Sequence, residues 1–259
     1  KSLIAPLVSS LAGSELWLID YFFELLCILD GLGKVDRNAA ISLIQTHADM
    51  HLYHSSISRS VNLRPSDDSG AEKNMLAERY QKRLLATDGA EAIKLIKKNK
   101  PALVLMHHYI FGISDLLFEA FRDRTHLSIV TIRHPLWLVD AWYSGKWHER
   151  MGKDPREFQQ MCDVNGHLVP WFVKDWADDY RAMNPLEKAI HVVLHFIREF
   201  DQRYEGLIKI DRNKVLWIPF EKFLQQPGHY VDLFTSKLKT KKTPLTKDLF
   251  KKLRLPREF

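Results

Sequence analysis

An α/β fold is predicted for this chain, a central parallel β-sheet flanked by helices, and three observations predict it. Short apolar runs alternate with helical stretches; three of those runs end in polar or charged residues; and 46% hydrophobic content over 259 residues is enough for one full core. One domain over residues 1–259 is the expectation.

The elements follow in order. Leu3-Ile4-Ala5-Pro6-Leu7-Val8 reads as a first strand, entered directly from Lys1, and Ser9 to Ser14 as a small-residue turn. A strongly apolar helix is expected from about Glu15 to Leu29, closed by Gly31 and Gly33. Residues from about Asn38 to Arg59 carry a second helix and an irregular tail, Ser60 to Lys73 is a polar loop, and helices follow over Glu72 to Leu85 and Gly89 to Lys98. Ala102 to Met106 is a buried strand ending at His107-His108, Ile113 to Phe121 is helical, and Ser128 to Ile132 is a strand ending at Arg133. Asn184-Pro185-Leu186-Glu187 is a helix start with cap, first-turn proline and returning glutamate. Val215 to Pro219 and Phe220 to Leu224 give a last strand and helix.

Composition excludes several classes. Two cysteines, Cys27 and Cys162, make neither a disulfide framework nor a zinc cluster, which points to a reducing, cytoplasmic compartment; a trimmed targeting segment stays open. The apolar run Leu16 to Leu32 is broken by Asp20, Glu24 and Asp30, so it reads as a buried helix and not a membrane span. A net charge of +6 favours an anionic ligand without demonstrating nucleic-acid binding, and no nucleic-acid partner is expected. Much of that charge lies in Lys237, Lys239, Lys241, Lys242, Lys247, Lys251, Lys252, Arg254 and Arg257, a solvated helix face and tail or else a phosphate-binding flap.

The most informative stretch is Ser128 to Pro135 with the run to Ser144. An apolar strand delivers a guanidinium, a proline ends the ladder, and a helix bearing a hydroxyl begins, which together suit a phosphate. Ligands of open α/β sheets sit beyond the carboxyl ends of strands, so Ser9-Ser10, His107-His108 and Arg133 are expected to face one crevice.

This order of features resembles the sulfotransferases that use 3′-phosphoadenosine-5′-phosphosulfate. Ser10-Leu11-Ala12-Gly13-Ser14-Glu15-Leu16-Trp17 resembles their phosphosulfate loop, Arg133-His134-Pro135 their strand-end Arg-x-Pro, and Trp217 to Pro227 their late strand with Glu221 and a downstream proline. The resemblance implies a P-loop NTPase-like sulfotransferase architecture, with residues 35–100 a helical and loop insertion on the acceptor side. It implies that Ser10, Leu11, Ala12, Gly13, Ser14, Glu15, Arg133 and Ser144 hold the nucleotide, that His107 is the general base with His108 the alternative, and that no metal takes part. The co-substrate would be 3′-phosphoadenosine-5′-phosphosulfate and the acceptor a hydroxyl of a carbohydrate or small metabolite. Two departures stand out: Leu11 falls where the family has a loop cation, and Ala141 where it has a helix serine, Ser144 lying one turn on. They motivate an alternative, a degenerate relative that binds a nucleotide or sulfated ligand without turnover. A nucleotide-sugar glycosyltransferase is a further one, and the lack of a Gly-Lys-Ser/Thr loop weakens a kinase.

The residue types fit the chemistry implied. Sulfuryl transfer builds negative charge on the departing phosphate, which cations and amides stabilise, and imidazole takes the acceptor proton near neutral pH. Each has a structural reading as well: His107 as a strand-end hydrogen-bonding group, Arg133 as an ion pair with Asp123 or Asp140, Gly13-Ser14 as a tight turn and cap. His47, His51 and His54 share a helix face able to hold zinc, but read as a polar rim. Trp137, Trp142, Tyr143 and Trp147 are core residues or an aromatic wall for an acceptor.

Overall fold

The computed structural model describes residues 2–85, 89–124, 126–154 and 156–258. Lys1, residues 86–88 of the expected insertion, and residues 125, 155 and 259 lie outside the described residues. The chain is mixed α/β and largely helical. Helices α1 (Ile4–Ser9), α2 (Tyr21–Gly31), α3 (Arg37–Ser56), α4 (Ala77–Leu84), α5 (Gly89–Asn99) and α6 (Asp115–Ala120) precede strand β1 (Ser128–Ile132). Then come α7 (Pro135–Ser144), α8 (Trp147–Arg150), β2 (Met161–Val164), β3 (His167–Pro170), α9 (Ala177–Ala182), α10 (Pro185–Gly206) and α11 (Lys209–Arg212). Strand β4 (Val215–Pro219), α12 (Phe220–Gln225), α13 (Pro227–Leu238) and α14 (Pro244–Lys252) complete the order.

β1 and β4 pair in parallel, Ser128 opposite Val215 through Ile132 opposite Pro219. A second parallel contact joins Ser14 to Ala102 and Leu18 to Leu105 through isolated bridges. Both parallel contacts carry the sense expected of the α/β pattern, and helices pack over them: α1, α13 and α14 share a core with Val104, Ile129 and Ile218. Most of the described elements fall where periodicity and caps put them. Asn184 accepts amide hydrogens from Leu186 and Glu187 while Glu187 returns to the Asn184 amide, closing the expected capping box of α10.

The amino-terminal expectation is corrected by one element. Residues Ile4–Ser9 form a helix, buried along its whole length, where a strand was expected. An extended stretch lies further on, bridged in parallel only at Ser14 and Leu18, where a helix was expected from about Glu15, and α2 starts only at Tyr21. A continuous apolar run does not distinguish a buried helix from a buried strand, and Pro6 is tolerated in a first turn. Asp20 sets the boundary: its backbone is extended and its side chain accepts the Phe22 amide hydrogen, capping α2. The hairpin of β2 and β3 and helices α8, α9, α11 and α13 have no counterpart in the sequence reading. Asn165 and Gly166 both have positive φ, the geometry of a type I′ turn between β2 and β3.

Candidate functional site

The first turn of α2 organises two histidine pairs. Asp20 caps α2 and Glu24 stands in its first turn, and each carboxylate meets its own histidines. Glu24 is 5% exposed, and a carboxylate so buried demands partners. Its Oε1 accepts the His108 amide hydrogen at 2.9 Å and faces His108 Nδ1 at 3.0 Å, while His107 Nδ1 stands 3.7 Å away. Burial raises the Glu24 pKa, but hydrogen bonds and charge from His107 and His108 outweigh it and hold the carboxyl below its usual range. An ionised carboxylate only accepts, so Nδ1 of His108 carries a hydrogen, and the tautomer this selects for a neutral imidazole has its lone pair on Nε2. Tyr21 stacks on that ring at 5.8 Å between centroids, 8° from parallel. The oriented imidazole is therefore His108; His107, first choice in the sequence, sits edge-on to Phe23 at 5.9 Å.

The second pair also touches Phe23. His47 and His51, one turn apart on α3, both turn Nε2 to Asp20 Oδ2, His47 at 2.6 Å, and the two Nε2 atoms are 3.1 Å apart. Burial would raise the Asp20 pKa; hydrogen bonds from His51, the Phe22 amide and His47 overcome it and push the carboxyl far below the usual range. His54 does not join them: its Nδ1 meets Ser60 Oγ at 3.1 Å. A cavity of about 270 Å³ opens beside this group, lined by Leu18, Ile19, Asp20, His51, Ser55 and Asn62 among others.

The turn from Ser10 to Glu15 offers an anion few free donors. The amides of Ser10, Leu11, Ala12, Ser14 and Glu15 donate to Pro6 and Leu7, Val8, Lys241, Leu11 and Ala102 carbonyls respectively. Ser10 Oγ donates to the Leu7 carbonyl at 2.6 Å and meets Thr246 Oγ1 at 2.9 Å, and Leu11 is wholly enclosed. Gly13 takes φ of +79°, as a tight turn requires. Glu15 is buried against Arg83, at 2.6 Å, and the Tyr80 hydroxyl, at 2.8 Å. This is a buried structural ion pair, which engages the Glu15 carboxylate within the chain.

Arg133 leaves the end of β1 half-exposed, 3.9 Å from Glu221 Oε1 and 5.7 Å from the centre of the Phe220 ring. Its partner is thus neither Asp123 nor Asp140, and a separation of 3.9 Å leaves its N–H groups available for a phosphate. Ser144 Oγ donates to Asp140 at 3.1 Å on the exposed side of α7. Of the aromatic set, Trp142 is core while Trp137 and Tyr143 are exposed. Neither Arg133 nor Ser10 to Glu15 lines the cavity beside Asp20.

Sequence reasoning used Asp20 and Glu24 only to exclude a membrane span. Two acids four apart inside an apolar run are themselves a signal, because each must find a cationic or hydrogen-bonding partner once buried. The chain matches no protein-family model, no curated protein and no solved structure. Among the described residues, no helix is long and apolar enough to cross a membrane.

Proposed function

We propose that this chain is a group-transfer enzyme on a P-loop NTPase-like sulfotransferase architecture, moving a sulfuryl group from 3′-phosphoadenosine-5′-phosphosulfate to a hydroxyl. The observation that carries the reading is the Glu24–His108 pair at the end of the extended 102–106 segment, with Nδ1 fixed on the carboxylate and Nε2 left basic. In this reading Nε2 of His108 takes the acceptor's hydroxyl proton as that oxygen bonds to sulfur. The bond from sulfur to the 5′-phosphate oxygen breaks, and its electron pair leaves on the phosphate. Arg133, at the corresponding end of β1, binds a phosphate of the nucleotide, and the exposed Trp137 and Tyr143 on α7 give a carbohydrate or small-metabolite acceptor a surface to stack on.

Calorimetric titration with adenosine 3′,5′-bisphosphate tests the nucleotide assignment, and no binding at millimolar ligand discards it. With binding in hand, His108→Ala should abolish transfer of labelled sulfate at unchanged nucleotide affinity, while His107→Ala retains it; the reverse pattern moves the base to His107. A second reading, a relative that binds a nucleotide or sulfated ligand without turnover, is favoured by Leu11, which is fully enclosed where the resemblance would put the loop cation that stabilises the departing phosphate. It predicts nucleotide binding with no sulfate transfer to any hydroxyl acceptor.

A further inference from the structure

We propose that Asp20, His47 and His51 form a binding site for a first-row divalent cation, with zinc the favoured occupant. Three donor atoms from two elements, the cap of α2 and the middle of α3, converge on one point. Hydrogen bonding does not account for all three contacts. The carboxylate oxygen only accepts, so each imidazole must donate from Nε2 to satisfy it, and the 3.1 Å contact between the two Nε2 atoms then joins two like-polarised N–H groups. If either nitrogen instead accepts from the other, its lone pair faces the Asp20 oxygen. At most two of the three contacts are hydrogen bonds, whereas a cation at the centre takes all three atoms as donors of electron pairs.

The spacing agrees. Ligands about 2.0–2.1 Å from a tetrahedral zinc stand about 3.3 Å from one another, close to the 3.1 Å between the nitrogens. The Asp20 oxygen, 2.6 Å from His47 Nε2 and closer still to His51 Nε2, has to move outward from both nitrogens to reach that spacing. The carboxylate is already oriented, because its other oxygen holds the Phe22 amide at 2.9 Å. Two imidazoles and one carboxylate suit zinc and its neighbours, while magnesium and calcium prefer shells of oxygen alone. The side chains are 13–19% exposed, so a hydrated ion can reach them. Three protein ligands leave a fourth position, and Asp20 and His51 both line the adjoining cavity with Ser55 and Asn62. That position is open to water or a small oxygen ligand, which makes the site one of the open type and not a closed structural one.

The inference does not draw on the sulfuryl-transfer reading, since Asp20, His47 and His51 share no residue with the Glu24, His107 and His108 group. The full chain, stripped with chelator and dialysed, is titrated calorimetrically with zinc. One equivalent should bind, and affinity should fall about 100-fold or more in His51→Ala and in Asp20→Asn, the asparagine retaining the cap of α2. His191→Ala with His195→Ala, the other histidine pair one turn apart and on α10, should leave affinity unchanged. Cobalt substitution gives a second readout: visible ligand-field absorption in the unmodified chain, lost in His47→Gln. Thermal melts of the metal-free variants establish that they fold. No stoichiometric binding at millimolar zinc overturns the proposal, as does binding that survives the Asp20 and His51 substitutions, or that disappears with His107→Ala or the α10 pair instead.

Discussion

Replacing Tyr80 with phenylalanine removes one oxygen on which two buried groups depend. The hydroxyl accepts the Leu16 amide hydrogen at 2.7 Å and donates to Glu15 Oε2 at 2.8 Å, and all three residues are buried. Phenylalanine keeps the ring, so no cavity forms and the loss is polar. An orphaned buried amide costs about 1–3 kcal/mol, and a hydrogen bond to a charged group contributes about 1.5–3 kcal/mol. Arg83 still holds both Glu15 oxygens, at 2.6 and 3.1 Å, so the second loss is partly offset. The net destabilisation should be about 3 kcal/mol, a fall of roughly 6–12 °C in Tm for a chain of this size. Urea and thermal melts followed by circular dichroism and tryptophan fluorescence measure it, Trp17 reporting locally because its indole donates to Asn74 at 2.9 Å in the same core. A loss under about 0.5 kcal/mol would refute the relay and, with it, the reading of Glu15 as a structural anchor.

Other outcomes follow from the same geometry. Asp20 and Glu24 both titrate below their unfolded values because their hydrogen bonds, mostly from His47, His51, His107 and His108, outweigh burial. The unfolded chain then binds more protons, so this stabilisation is complete above about pH 4–5 and is lost as pH falls through the folded values; the urea midpoint should drop on acidification, less steeply in Asp20→Asn with Glu24→Gln. Burial raises the Cys27 thiol far above its ordinary range, with Asp30 and Glu24 adding to the effect, so a thiol reagent should modify Cys162 in the native protein and Cys27 only after unfolding. Leu11→Arg, which supplies the loop cation the sulfotransferase resemblance lacks, should unfold the chain and not tighten nucleotide binding, because Leu11 is fully enclosed; a folded variant with higher nucleotide affinity would reverse that conclusion. Gly166→Ala should cost about 1–2 kcal/mol in a denaturant melt, its φ of +79° being the left-handed turn conformation.

What the sequence made legible was whatever a local signal encodes. Asn184 with Glu187, Pro135 after a strand, and the apolar run ending at Arg133 each identify their element without reference to the rest of the chain. The first thirty residues failed because apolar content is nearly continuous from Leu3 to Leu32 and erases the period that separates helix from strand. There only the cap at Asp20 carried positional information, and it was read as an interruption of a helix. Asn165-Gly166 was a readable signal left unread. In the site, the sequence singled out the two histidine clusters but put His107 before His108 and did not name their carboxylate partners, since pairing across α2, α3 and the 102–108 segment arises from tertiary packing.

The displaced helix boundary has a direct consequence for the chemistry. Had the helix begun at Glu15, Asp20 would lie in its interior, with no free amide to hold. Because α2 begins at Tyr21, one Asp20 oxygen is fixed by the Phe22 amide and the other is turned to His47 and His51. The same start places Glu24 in the first turn, where the positive end of the helix favours the ionised form that orients His108. Phe23 touches both groups, its ring 5.2 Å from that of His47 and 5.9 Å from that of His107, and each carboxylate serves its own histidines. The two proposed sites thus flank one helix start while using different residues. An asparagine at position 20 preserves the helix start while removing the charge that draws the α3 histidines together, which is why that substitution separates the cation site from the Glu24–His108 pair.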